Sequence, residues 1–284
     1  MKSNPDFFSG RRLLIVTKHE KEKVIAPILE KALGVQCFVS KEFDTDSLGT
    51  FSGEIERKED ALTTLRKKCW EGMKSEGFDL AVATEGSFGN HPTVFFAPAN
   101  DELIMLVDQK NGIEIVARSL SMNTNFDSAE LRSHDDLKVF LEKVQYPSHG
   151  VILKNDDKKG ATIHKGIIDY NSLEQVFDAI MQTRSSCFIE TDMRAMNNPK
   201  RMKVIEEVSV MLVNRLQSVC PECMYPGFGV VGAEAGLLCD SCTMPTRSTL
   251  AHVLQCQHCQ YHSKLMYPNG KETEDPMYCD FCNP

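Results

Sequence analysis

The sequence predicts an α/β protein: a mixed-sheet N-terminal body over residues 1–218, then a C-terminal double zinc ribbon over 219–284. Three observations carry this. Apolar runs of strand length alternate with stretches of helical period through the first half of the chain. A proline-started helix near Pro199 runs without a linker into the tail. The tail holds eight of the eleven cysteines, in four Cys-x-x-Cys knuckles: Cys220/Cys223, Cys239/Cys242, Cys256/Cys259 and Cys279/Cys282.

Leu13–Thr17 reads as a buried strand and Lys18–Leu33 as a helix stopped by Gly34, with Pro27 marking its start or a kink. Val35–Val39 is a second strand. A polar loop with Asp44 and Asp46 follows, then a helix from about Lys58 to Glu76 with Leu62, Leu65, Cys69 and Met73 on one face. Leu80–Thr84 is a strand expected to open into a loop, Glu85-Gly86-Ser87-Phe88-Gly89-Asn90-His91-Pro92. Glu102–Val107 and Ile113–Leu120 flank Asn111-Gly112, a hairpin signal. Leu137, Phe140, Leu141 and Val144 mark a helix. Gly150–Leu153 and Ile163–Ile168 form a strand pair, Leu173–Ile180 another helix face, and Cys187–Glu190 a last strand. Asn198 suits an N-cap and Pro199 the first helical position. That last helix turns Ile205, Val208, Leu212 and Leu216 inward and is expected to hold the tail rigidly.

A two-residue gap lets both sulfurs of a knuckle face one point, and two knuckles close a tetrahedron around Zn²⁺. Disulfides and an iron–sulfur cluster are the alternatives. Fifteen, thirteen and nineteen residues separate successive knuckles. The similar outer gaps favour sequential pairing into two stacked ribbons, and interleaved pairing would give a cross-braced module. The three histidines nearby, His252, His258 and His262, read as bystanders, because four cysteines saturate each site.

The start of the chain has no secretory signal, and no apolar run approaches the ~20 residues of a membrane span. Zinc thiolates need a reducing compartment, so the cytoplasm is expected. The formal charge is -8. From Cys220 onward there are seven acids against three bases, hence minus four, and each four-thiolate zinc site adds minus two. Nucleic-acid binding needs Lys and Arg to neutralise phosphates, so this tail argues against nucleic acid as a partner.

Three polar clusters are candidates for chemistry. Glu54 and Glu56, before Arg57, open a helix, where acids are also favourable for the dipole alone. Glu85 leaves a strand beside glycines, with Ser87 and His91 following, or it is a surface carboxylate in a turn. Asp192 and Arg194 precede a helix whose first turn carries Lys200, Arg201 and Lys203. Cations there are unfavourable by roughly 0.3–1 kcal/mol each, which a bound anion would offset. A structural corner pinning the helix is the alternative. No Gly-x-Ser-x-Gly, P-loop or His-Glu-x-x-His motif occurs, and Cys37, Cys69 and Cys187 read as buried small hydrophobes.

Taken together, Asp44-Thr45-Asp46, Glu85–Gly89 with His91-Pro92, Thr191–Ala195 with Asn198-Pro199, and the four knuckles resemble a family catalogued as a domain of unknown function. The resemblance covers nearly the whole chain and implies no activity. Over about the first 120 residues, Thr17-Lys18, Glu54–Arg57 and Ala83–Gly86 also resemble, in order, motifs of inosine/xanthosine triphosphate pyrophosphatases. That likeness implies phosphate binding by Lys18 and Mg²⁺ held by Glu54 or Glu56 and Glu85 for water attack. The motif spacing departs from that family, its paired aspartates are missing here, and it has no zinc tail.

The function expected is therefore a Mg²⁺-dependent hydrolase or binder of a nucleotide or other phosphorylated small molecule. Glu54, Glu56 and Glu85 are its catalytic candidates. Lys18, Ser87, His91, Asp192, Arg194 and Arg201 are its substrate-binding candidates, with two structural zinc sites behind them. The rival reading is a non-enzymatic adaptor that meets a protein partner through the zinc tail.

Overall fold

The structure is a computed structural model that describes residues 7–41, 59–156 and 160–284. Two compact units divide it, Phe8–Leu212 and Val213–Pro284 with Phe7, and the boundary falls inside the last helix.

In the larger unit, β1 (Arg12–Val16), α1 (Glu22–Leu33), β2 (Gln36–Val39), α2 (Ala61–Glu76) and β3 (Leu80–Asn90) form two crossovers. Then β4 (Pro98–Asp108) and β5 (Ile113–Ser121) return as a meander. The sheet order is β2-β1-β3-β4-β5, parallel through β1, β2 and β3 and antiparallel beyond. The order reverses direction at β1, whose carboxyl end at Val16 lies beside Ala83 of β3, and such a switch point is where open α/β sheets bind ligands. On one face α2 buries Leu65, Cys69 and Met73 against Leu14, Val16 and Met105. Leu62, expected inward, is exposed. It sits in the first turn beside Asp60, whose carboxylate accepts from the Leu62 and Thr63 amides at 3.0 Å as the N-cap.

The Glu85–Asn90 stretch is not a loop. It continues β3, paired residue for residue with β4 from Leu80↔Asp108 to Asn90↔Pro98. The two glycines do not end the strand, because cross-strand hydrogen bonds from β4 carry it through. The turn comes later, at His91, whose Nδ1 accepts from the Thr93 and Val94 amides.

The remainder of this unit is an antiparallel sheet of order β6-β9-β7-β8: β6 (Ser128–Leu131), β7 (Val151–Lys154), β8 (Ile163–Ile167) and β9 (Cys187–Thr191). Its core packs against α3 (His134–Val144) and α4 (Tyr170–Met181). The strand β6 has too few apolar residues to show as one. Finally α5 (Pro199–Gln217) turns Ile205, Val208, Leu212 and Leu216 inward.

In the smaller unit, β10 (Gly229–Ala235), β12 (Thr249–Gln255) and β13 (His262–Met266) make a three-stranded antiparallel sheet. Two short strands, β11 (Leu238–Cys239) and β14 (Thr273–Glu274), pair in parallel. The apolar cluster at its centre is small, Phe228 among the sulfurs of Cys220 and Cys256, which is too little to stabilise such a unit alone.

Candidate functional site

The eight tail cysteines gather into two tetrads. One is Cys220, Cys223, Cys256 and Cys259, and the other is Cys239, Cys242, Cys279 and Cys282. Within each, every sulfur lies within 4.8 Å of the others. The shorter spacings are 3.6 Å for Cys220–Cys259, Cys223–Cys256 and Cys242–Cys279, and 3.8 Å for Cys239–Cys282. Zn–S bonds of about 2.3 Å at tetrahedral angles put sulfurs about 3.8 Å apart. The tetrads therefore fit one zinc ion each, and a disulfide, with sulfurs at about 2.05 Å, does not fit. Three knuckles share one backbone form. The residue after the second cysteine is left-handed (Met224, Thr243, Gln260), and its amide donates to the carbonyl of the first.

Sequential knuckle pairing is overturned: the first knuckle closes with the third and the second with the fourth. Strand pairing decides this. The β10–β12 ladder sets Gly229 opposite Gln255, which brings Cys220 and Cys223 to Cys256. The β11–β14 bridge sets Cys239 opposite Glu274, beside Cys279. The three histidines stand outside both tetrads, and His258 stacks on Tyr225 at 4.1 Å.

In the larger unit, charged side chains crowd the carboxyl end of β1 and the middle of β3. On the α2 face, Lys68 reaches from the buried stripe of α2 to the Glu85 carboxylate, and both are at least nine-tenths buried. On the opposite face, Lys21 Nζ donates to Thr84 Oγ1 at 2.8 Å. Beside it Arg201 is locked. Its Nε and Nη2 donate to the two Glu102 oxygens, each at 3.1 Å, and Nη1 donates to the Met193 carbonyl at 2.6 Å. The Arg201 guanidinium also lies 5.2 Å from the Phe88 ring centre. Strand alternation separates the two carboxylates: Glu102 stands opposite Gly86, so Glu85 points to the other face. Gly86 is required there, since a Cβ would sit 2.4 Å from Glu102 Oε2 and 2.6 Å from Arg201 Nη2. Asn100, opposite Phe88, is buried on the Glu102 face with both amide atoms unpartnered among the described residues. Burial, with Arg201 and Lys68 outweighing Glu102 and Glu85, pulls the Lys21 pKa down to about 7.

The other expected site residues are placed as follows. Lys18 is half-buried two residues past β1. Ser87 lies in β3 opposite Asp101. Asp192 is fully buried, and its carboxylate accepts from Arg194, Asn197 and the Gly166 amide. Burial notwithstanding, these donors, Arg194 foremost, hold its pKa below the ordinary range. At the start of α5, Asn198 Oδ1 accepts from the Arg201 amide and His149 Nε2 from the Lys200 amide, so that helix end is capped by the chain itself. Glu54 and Glu56, with Asp44 and Asp46, lie outside the described residues. Among the described residues, no group of three or more His, Cys, Asp or Glu other than the two cysteine tetrads is arranged to hold a metal ion.

Three members of the network were not anticipated: Lys21, Lys68 and Glu102. Two had a readable signal. Lys68 falls between Leu65 and Cys69 on the apolar stripe of α2, and Glu102 heads the apolar run Leu103–Val107. A charge on a buried stripe requires a partner.

A domain-of-unknown-function family model (DUF6671) matches residues 68–284. No curated protein matches the chain.

Proposed function

The chain belongs to this family, whose description supplies no activity, and we propose from its geometry that it is a zinc-stabilised binder of a phosphorylated small molecule. The observation that carries this reading is the charge balance where β1 ends beside β3. Among the described residues, three basic side chains, Lys21, Lys68 and Arg201, are buried with two carboxylates, Glu85 and Glu102, so each proton that Lys21 takes up adds a positive charge beyond those two carboxylates. A phosphate entering beside Lys21 would add negative charge next to that amine. It would also draw a proton onto an amine that burial holds near neutrality. Lys18, beyond β1, is the second phosphate candidate. The buried amide of Asn100, unmatched among the described residues, calls for a polar group.

Hydrolysis with Mg²⁺ is the further step that the pyrophosphatase resemblance suggests. Mg²⁺ prefers carboxylates together with phosphate oxygens. Glu85 and Glu102 are engaged by Lys68 and Arg201 and lie on opposite strand faces, so binding is the conclusion supported here. The tetrads serve as structural zinc sites in a unit of little apolar core. Thiolates held this way suit a reducing cytoplasm. No helix among the described residues is long and apolar enough to cross a membrane.

A panel of nucleoside mono-, di- and triphosphates, with and without Mg²⁺, tests the reading by thermal shift and phosphate release. Stabilisation greater at pH 6.5 than at pH 8, and absent from Lys21→Met, is expected. Phosphate release lost in Glu85→Gln would add hydrolysis. No phosphate-dependent shift at either pH refutes the proposal.

A second reading, a protein-binding adaptor, is favoured by one observation. Val231, Leu265, Met277, Tyr278 and Phe281 of the smaller unit are each more than half exposed. Its test is affinity capture with wild type and Phe281→Ser at equal zinc content. Identical partner profiles would count against it.

A further inference from the structure

A groove of about 430 Å³ opens between α3 and α4, within the size range of small-molecule sites. Its floor is apolar, with Leu137, Leu141 and Leu173 all buried. Two rings join the lining, Tyr146 and Tyr170, packed edge to face at 4.9 Å. Tyr170 is half exposed, whereas Tyr146 is nine-tenths buried. The Tyr146 hydroxyl is shut off from solvent and has no hydrogen-bond partner among the described residues. Buried phenol groups are almost always matched, so this one points to a missing partner. Burial first, then Asp169 and Tyr170, pushes its pKa up to about 12, so at neutral pH it keeps its proton and can donate.

The rim has a sign. Asp135, Glu142 and Glu174 stand around the groove in exposed positions, against Lys138. His134, also on the rim, is tied through Nε2 to Asp178 at 3.1 Å. An apolar floor, a buried donor and an acidic rim select for one kind of molecule. We propose that this groove binds a small organic cation: an apolar ring or short chain carrying an ammonium group for the rim and an oxygen that accepts from Tyr146 once the side chains covering that hydroxyl part to admit it. This site is separate from the cationic β1/β3 site and takes the opposite charge.

Three probes separate these elements in titrations of the zinc-loaded full chain followed by amide NMR. Tyramine carries ring, oxygen and ammonium, phenethylamine lacks the oxygen, and 4-hydroxyphenylacetate reverses the charge. Tyramine is expected to shift the amides of Leu137, Leu141, Tyr170 and Leu173. Phenethylamine should bind about tenfold more weakly, the ratio that one hydrogen bond of ordinary strength supports. The anion should not saturate. Tyr146→Phe should melt no lower than wild type, since it removes an unmatched hydroxyl, and should abolish the preference for tyramine over phenethylamine. The Glu142→Lys/Glu174→Lys variant changes only exposed positions and should reverse the charge preference. Equal binding of cation and anion overturns the proposal, as does the absence of shifts at these amides at millimolar probe. An unchanged tyramine affinity in Tyr146→Phe does so too.

Discussion

Replacing Gly86 by alanine tests the buried ion pair directly. The added Cβ would sit 2.4 Å from Glu102 Oε2 and 2.6 Å from Arg201 Nη2, both well inside van der Waals contact. These atoms are the far ends of long side chains, which on a surface would swing aside at little cost. Here Glu102 is 0 % and Arg201 1 % exposed, and Arg201 is also held by the Met193 carbonyl. Relief therefore separates the charges or displaces β3 from β4. Breaking a buried pair costs about 3–5 kcal/mol, because the separated charges stay out of water. In a unit of this size that lowers the melting temperature by on the order of 10 °C. Gly89→Ala is the control: it lies in the same strand with nothing within 4 Å of the new Cβ, and should change stability by less than about 0.5 kcal/mol. Scanning calorimetry of both variants reads the difference. A Gly86→Ala protein melting within 1 °C of wild type would show that the pair yields freely and that the reasoning is wrong.

Two further outcomes follow from the same geometry. The Lys21 pKa lies at about 7 in the folded chain against an ordinary 10.5, so between those values the unfolded chain holds a proton that the folded chain does not. Stability then rises with pH across that window, by roughly 2 kcal/mol from pH 7 to pH 9. Chemical denaturation should show this slope in wild type and not in Lys21→Met, and parallel slopes would contradict it. Metal analysis of reduced protein should find two zinc ions per chain. Chelation should abolish amide protection along β10, β12 and β13 while leaving β3 and β4 protected, and protection that survives chelation would mean the small unit folds without metal.

Much of the architecture was legible from local pattern. The strands β1, β2, β4 and β5 and the helices α1 to α5 follow from short apolar periods and from caps such as Asn198, each set by residues a few positions apart. Where prediction and structure part, a distant element intervenes. Glu85–Asn90 looked like a glycine-bearing loop, and it is a strand because β4 supplies its hydrogen bonds. The charge network was mostly illegible: Arg201 and Glu102 stand 99 positions apart, and Lys68 and Glu85 meet only because α2 packs under β3.

The zinc tail divides the two kinds of information most clearly. Sequence by itself determined the ligands, because a two-residue gap aims both sulfurs of a knuckle at one point without help from elsewhere. Sequence also determined the acidity of that tail. The partner of each knuckle was decided by tertiary structure alone. The gaps of fifteen and nineteen residues favoured neighbours, while the β10–β12 ladder and the β11–β14 bridge carry the first knuckle to the third and the second to the fourth. Ligand identity is a property of a few adjacent residues. Pairing is a property of which strands exchange hydrogen bonds, and that depends on the whole folded unit.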